Sequence, residues 1–292
     1  MAEAVRLGFI GVGVMGEPMC RNLAAKSGCR VLAYDVNPQP LRRLALAGVE
    51  TAPTVARLVE QVAGVFLCLP GAPQVEAVMN GPQGVLAHAR SGQFVVDMST
   101  CPPRADREWA EKLGALGVDF ADAPVARTRQ AAQQGTLSIM VGGAAALVER
   151  LRPYLACMGS DITHCGAVGS GQVVKLLNNL VLCQNVLALA GALEVGGKAG
   201  VEERLLLETL SKGSADSFAL RNHGMKAMLP QEYPERAFSV RYMLKDVGYA
   251  LELAEQQGVA LESGYTAQRL YERAVQAGLG DQYFPVVRKT LA

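Results

Sequence analysis

The chain has 292 residues, half of them hydrophobic and 19% charged, with 28 Lys and Arg set against 27 Asp and Glu. That length predicts about two domains of ~150 residues, and a net charge of +1 gives no bulk electrostatic basis for a nucleic acid or membrane surface as partner. The seven cysteines are scattered without a Cys-x-x-Cys pair, which excludes a disulfide framework and predicts a reducing, cytoplasmic setting.

Val5–Ile10 is a short apolar run that leads directly into Gly11-Val12-Gly13-Val14-Met15-Gly16, and helical composition follows from Glu17 to Ala25. Strand, glycine turn and helix are the context in which G-x-G-x-x-G binds a dinucleotide. In that pattern Gly11 permits the tight turn, Gly13 lets the pyrophosphate approach, and Gly16 packs helix on strand. A second strand, Arg30–Tyr34, ends at Asp35, nineteen residues beyond Gly16. A carboxylate there accepts from both ribose hydroxyls of an adenosine and repels a 2′-phosphate, so NAD is expected over NADP. Arg42 and Arg43 fall a turn into the next helix, too far along to be the first choice as phosphate clamps.

The alternation continues through apolar strands at 65–69, 94–98, 118–123, 137–141 and 161–164, with helical stretches between them. Such alternation predicts right-handed crossovers and a largely parallel, doubly wound sheet of Rossmann type over residues 1–165. Ligands in these sheets lie beyond the carboxyl ends of the strands. Leu69-Pro70, Ser99-Thr100 and the Pro124–Thr128 loop are therefore expected to face cofactor and substrate.

From about Val168 onward the pattern is helical, and residues 166–292 read as an all-α domain for substrate binding and oligomerisation that closes a cleft with the first. Its entry is Gly169-Ser-Gly-Gln-Val-Val-Lys-Leu-Leu-Asn-Asn179. The helix beginning there carries Lys175, Asn178 and Asn179 at i, i+3 and i+4, on one face near its positive end. An ammonium and two amides so placed suit an oxygen-rich anion; a surface lysine beside two capping-type asparagines is the plainer alternative. Further helices are expected at 202–210, 218–228, 240–257 and 263–277, with a loop at 229–234. The apolar stretch Leu176–Leu193 is interrupted by Asn178, Asn179, Gln184 and Asn185, a poor membrane span, and makes a homodimer or homotetramer plausible. His88, His164 and His223 are isolated, and no metal-ligand spacing is present.

Taken together, Gly8–Gly16, Asp97-Met98-Ser99-Thr100, Asp122-Ala123-Pro124-Val125, Gly135-Thr136-Leu137, Met140–Gly143, Gly169–Asn179 and Lys245-Asp246 resemble, in order, the motifs of the β-hydroxyacid dehydrogenases. The resemblance spans essentially the whole chain. It implies an NAD-dependent oxidoreductase interconverting a small anionic alcohol and its aldehyde, with Lys175 as catalytic acid/base and Asn179 orienting the substrate. It also implies that Ser99 and Thr100 lie near nicotinamide and substrate, and Lys245 near cofactor or substrate. Residues Gly11 to Gly16, Asp35, Leu69, Pro70, Thr100 and Lys245 are the expected cofactor contacts. A dinucleotide sensor without activity is a competing reading, disfavoured by the presence of Lys175.

One stretch departs from the family. Members commonly carry Ser-Gly-Gly after Asp-Ala-Pro-Val; here Ala126-Arg127-Thr128 stands there. The serine hydroxyl and both glycines are lost, and a guanidinium with a fixed fork of donors has arrived. The loop is similar to that of sulfolactaldehyde reductases, which implies Arg127, Thr128 and Asn178 around a sulfonate. Leu182, apolar where that branch is expected to carry serine, weakens the sulfonate assignment and leaves room for a partly apolar substrate; the alternative is a carboxylate-specific member acting on 3-hydroxyisobutyrate, tartronate semialdehyde or a β-hydroxy amino acid.

Overall fold

The computed structural model describes residues 5–235 and 237–291. They form two compact units that divide between Lys175 and Leu176.

The first unit is built on a nine-stranded sheet. Its strands are β1 (Arg6–Ile10), β2 (Arg30–Tyr34), β3 (Glu50–Thr51), β4 (Gly64–Leu67), β5 (Phe94–Asp97), β6 (Asp119–Asp122), β7 (Val125–Ala126), β8 (Leu137–Gly142) and β9 (Gly159–Gly166). They are ordered β3-β2-β1-β4-β5-β6-β8-β7, with β9 also on β8. Strands β1 to β6 pair in parallel. The apolar runs reflect burial of both faces. Leu7, Phe9, Phe66, Phe94 and Val96 enter one core cluster, while Ile10, Leu32, Val65, Leu67 and Val95 enter another. Strand order reverses between β1 and β4, the switch point at which doubly wound sheets bind ligands.

The sheet is largely parallel, as expected, with one antiparallel departure. Strand β8 runs antiparallel to β6 and to β7. Between β7 and β8 the chain has ten residues, 127–136, six of them in the helix Arg129–Gln134, about 9 Å long at 1.5 Å per residue. A parallel return needs a crossover of a dozen or more residues, so the strand folds straight back.

A helix of 29 residues, Ser170–Lys198, leaves the first unit and enters the second. It is long and apolar enough to cross a membrane by length and composition, yet Leu176, Cys183, Val186, Ala190 and Leu193 are fully buried in the core of the second unit. That unit adds Glu203–Leu210, a π-helix over Leu220–Met228, Val240–Gln256, Glu262–Gln276 and a 3-10 helix at Phe284–Thr290. Tyr271 and Phe284 are the largest side chains sealed at its centre. Arg288 ties three helices together through Glu194, Glu203 and the Met228 carbonyl.

Candidate active site

The glycine turn after β1 has the stereochemistry a pyrophosphate needs. Gly11 has a φ of +90°, and a Cβ there would run into the Cys68 carbonyl. A Cβ on Gly16 would strike the Gly11 carbonyl, so these two positions are closed to any side chain. Gly13 is exposed and has nothing within 4 Å of where its Cβ would stand, which leaves the space a ligand would use. The helix Gly16–Lys26 has no side-chain cap on its first turn, so its amides and dipole face that space. Among the expected contacts Val14 is exposed, Met15 half-buried, and Val12 buried.

Asp35 braces the turn from the end of β2. Its Oδ2 accepts from the Val12 amide at 2.7 Å and its Oδ1 from the Asn37 amide at 2.7 Å. Asn37, not Asp35, caps the next helix, Pro38–Ala45. Arg43 is committed elsewhere, its guanidinium gripping both Glu17 oxygens at 2.8 and 2.7 Å.

At the carboxyl ends of β4, β5 and β6 the loops are sewn together. The Ser99 hydroxyl accepts from the Leu69 amide at 2.9 Å and the residue is 3% exposed. Its side chain is therefore a cross-link between loops. Thr100, half-exposed beside it, keeps a surface for ligands, as do half-buried Leu69 and exposed Pro70. Asp122, closing β6, accepts from the Gly169 amide at 2.6 Å and the Gln172 amide at 2.9 Å. A strand-end carboxylate thereby satisfies the opening amides of the Lys175 helix. Lys175 follows one turn later and is 8% exposed.

Beneath this loop lies a buried acidic group. Candidate ligand atoms of Asp97, Cys101 and Asp106 come within 4.8 Å of one another. Burial pushes the carboxyls of Asp97 and Asp122 up, and Asp106 well up, the last driven further by the charges of Asp97 and Asp122. Two adjacent carboxyls out of water cannot both ionise cheaply, so each favours keeping its proton to a higher pH than a free carboxyl.

The Arg127 guanidinium is engaged within the protein. The residue sits at a φ of +85°, a left-handed position of the kind glycine favours. Its guanidinium pairs with Asp161 at 2.7 Å and donates to the Thr136 carbonyl at 2.6 Å and the Ser160 hydroxyl at 3.1 Å. Thr128 is likewise engaged, its hydroxyl capping the Arg129–Gln134 helix through the Ala131 amide. The loop is braced against the start of β9.

Two domain families match this chain. Residues 6–166 match the one described as the NAD binding domain of 6-phosphogluconate dehydrogenase, and residues 169–289 the one described as NAD-binding of NADP-dependent 3-hydroxyisobutyrate dehydrogenase. The chain belongs to the β-hydroxyacid dehydrogenase family. It is similar to 2-(hydroxymethyl)glutarate dehydrogenase of Eubacterium barkeri, 35% identical over 99% of this chain and 95% of that one. It also resembles 2-hydroxy-3-oxopropionate reductase of Escherichia coli, 34% identical over 94% and 92%. Among solved structures, the Mycobacterium tuberculosis 3-hydroxyisobutyrate dehydrogenase determined with L-serine superposes with a TM-score of 0.89 at 29% identity, covering 99% of each chain. This protein is thus an oxidoreductase acting on a hydroxyl group, with an NAD(P)-binding domain.

In the second unit of this dehydrogenase, Asn179 is 3% exposed and donates to Asp246 Oδ2 at 2.6 Å. The exposed Asn178 donates to Asn179 Oδ1 at 3.0 Å. Lys245 pairs with Asp246 at 2.9 Å and lies 5.1 Å from the Tyr249 ring centroid. Lys245-Asp246, which alone reads as a solvated pair, is therefore a built pair with a buried carboxylate, Asp246 being 1% exposed. Its position among buried Met243, Val247 and Ala250 is the signal that could have shown it, since these share one helix stripe. Gln172 went unnoticed in the same way: it lies on the stripe of Leu176 and Cys183, and all three are fully buried.

The three histidines have structural partners. His88 lies between Glu60 and the Pro82 carbonyl, His164 between the carbonyls of Gly143 and Gly166, and His223 against the Tyr283 hydroxyl.

Proposed function

We propose that this enzyme is an NAD-preferring dehydrogenase of a small β-hydroxy carboxylate, working reversibly with the corresponding aldehyde. The observation that carries the reading is the placement of Lys175: a buried ammonium one turn into a helix whose first amides are held by Asp122 at the carboxyl end of the sheet. When bound, the nicotinamide supplies or accepts the hydride. In oxidation, Lys175 Nζ, as the neutral amine, takes the hydroxyl proton and becomes the ammonium as the carbon–oxygen double bond forms; in reduction the ammonium returns that proton to the oxygen. Asn179, fixed by Asp246 and four residues along the same helix, directs an amide toward that oxygen. Thr100 lines the cofactor side. The preference for NAD is supported by Asp35, a carboxylate pinned by two backbone amides, and by the commitment of Arg43 to Glu17.

A carboxylate is favoured over a sulfonate because the guanidinium of Arg127 is occupied by Asp161, Ser160 and Thr136. The sulfonate reading keeps one supporting observation, the replacement of the family's Ser-Gly-Gly by Ala126-Arg127-Thr128. The test is a panel of 3-hydroxyisobutyrate, 2-(hydroxymethyl)glutarate, tartronate semialdehyde, L-serine and 2,3-dihydroxypropanesulfonate, followed by NADH absorbance. A carboxylate is expected to exceed the sulfonate in kcat/KM by tenfold or more. Preference for the sulfonate would reverse the assignment.

A reducing, cytoplasmic location is part of the same proposal, in keeping with seven cysteines outside any disulfide. So is a homodimer or homotetramer, supported by Val174, Leu177 and Val181 exposed on the long helix.

A further inference from the structure

We propose that Gln172 is a positioning residue for the reaction, its buried amide locking the Ser99–Cys101 backbone to the opening turn of the Lys175 helix. The proposal rests on the reading of Lys175 as the acid–base group.

Gln172 is fully buried. Its Nε2 donates to the Ser99 carbonyl at 3.0 Å and its Oε1 accepts from the Cys101 amide at 3.2 Å. The backbone groups on either side of Thr100 are therefore paired with one side chain, much as a neighbouring strand would pair them. A primary amide is the neutral side chain able to donate and accept at once from a single plane. The backbone amide of the same residue is held by Asp122 at 2.9 Å, and the Ser99 hydroxyl holds the Leu69 amide at 2.9 Å. Gln172 is thus the junction at which the loops after β4, β5 and β6 meet the helix. Lys175 lies three residues on, about 4.5 Å along the helix axis. Any slip between loop and helix is passed directly to the spacing of Thr100 and the Lys175 amine. A misplacement of about 1 Å at a reacting centre costs roughly 10²-fold in rate.

Around Gln172 stand Asp106 from the helix Pro103–Gly114, whose carboxyl the Gln172 side chain influences, its neighbours Asp97 from β5 and Cys101 from the loop, and Asp122 from β6, which holds the backbone amide of residue 172; the Arg107 side chain reaches the Val168 carbonyl. Asp106 is fully buried. A carboxyl introduced at position 172 would therefore stand among acids and keep its proton to a raised pH. Protonated, it donates to the Ser99 carbonyl and accepts from the Cys101 amide, as the native amide does. Ionised, it loses the donor.

The test uses 3-hydroxyisobutyrate and 2-(hydroxymethyl)glutarate, each with and without deuterium on the hydroxymethyl carbon. Gln172→Met removes both hydrogen bonds at nearly constant volume. It is expected to lower kcat about 10- to 100-fold, leave NADH affinity within threefold, and raise the primary deuterium isotope effect on kcat/KM. Gln172→Glu is expected to approach the unmodified enzyme at pH 6 and to fall away from it as pH rises to 9. A Met variant whose kcat and isotope effect per folded molecule match the unmodified enzyme, whatever its melting temperature, overturns the proposal. Should the Met variant not fold, a Glu variant whose pH profile parallels that of the unmodified enzyme overturns it equally. Lys175→Ala separates the two ideas: full turnover in that variant ends the acid–base reading, even with the Gln172 effects in place. Failure of the unmodified enzyme on both substrates overturns both.

Discussion

Asp35→Ser should convert the proposed preference for NADH into near indifference, and the structure sets the scale of the change. A 2′-phosphate bound where the ribose hydroxyls are expected would approach the Asp35 carboxylate to about 4 Å. Two unit charges at that distance repel by ~1 kcal/mol in water and ~4 kcal/mol at an effective dielectric of 20. Asp35 is half-buried, so the repulsion falls between these bounds, and a phosphate of charge near −2 moves it upward. The hydrogen bond from the 2′-hydroxyl, the one NADPH lacks, to a charged acceptor adds ~1.5–3 kcal/mol in favour of NADH. The sum, about 2.5–7 kcal/mol, corresponds to about 10²–10⁵-fold discrimination. Serine removes the charge and both acceptors of the carboxylate, which should bring the two cofactors within tenfold of each other. It also strips the fully buried Val12 amide of its acceptor, at a stability cost of about 1–3 kcal/mol. Fluorescence titration of NADH and NADPH, with a melting curve for each protein, reads both effects. A native enzyme that prefers NADPH, or a ratio unmoved in Asp35→Ser, refutes the reasoning.

Arg127→Gly should be nearly neutral in stability, because relief of the left-handed backbone, ~1–2 kcal/mol, offsets loss of an exposed ion pair worth at most ~1 kcal/mol. Its kcat/KM for the preferred carboxylate should stay within threefold; a tenfold loss would return the guanidinium to the substrate. His223 gives a pH prediction. Burial, aided by the charge of Lys226, pulls the imidazole down to about 4. A base depressed in the folded state contributes full stability above its unfolded value near 6.5, and that stability is lost as pH falls toward 4. The loss amounts to about 3 kcal/mol at 1.36 kcal/mol per unit. Urea unfolding at pH 7, 5 and 4 should show it, and His223→Phe, placed beside Phe218 and Phe284, should flatten the dependence. An equal slope in the variant would show that another group drives the acid loss.

The parallel half of the sheet is legible in the sequence because strands buried on both faces become unbroken apolar runs. The reversal at β8 is not, since Pro124 and a short polar helix announce a turn without its direction. The π-helix at Leu220–Met228 reads as an ordinary helix because nine residues are too few to separate the two periods. Short elements such as Val55–Val59, Val85–His88 and Phe284–Thr290 fall below any periodic signal. At the site, Gly11, Gly13, Gly16 and Asp35 are legible because their chemistry is encoded in local spacing. The pairing of Gln172 with Ser99 and Cys101 joins residues more than seventy apart, which no local pattern expresses. Arg127 is partly legible for the same reason: its charge is visible in the sequence, but its pairing with Asp161 is visible only in the fold.

The account stands most directly on Lys175→Ala, assayed for turnover and for NADH affinity on the same preparation. Loss of a general acid–base group is expected to lower kcat by about 10²–10⁴ while the dissociation constant for NADH stays within threefold. Turnover equal to that of the unmodified enzyme would contradict the account.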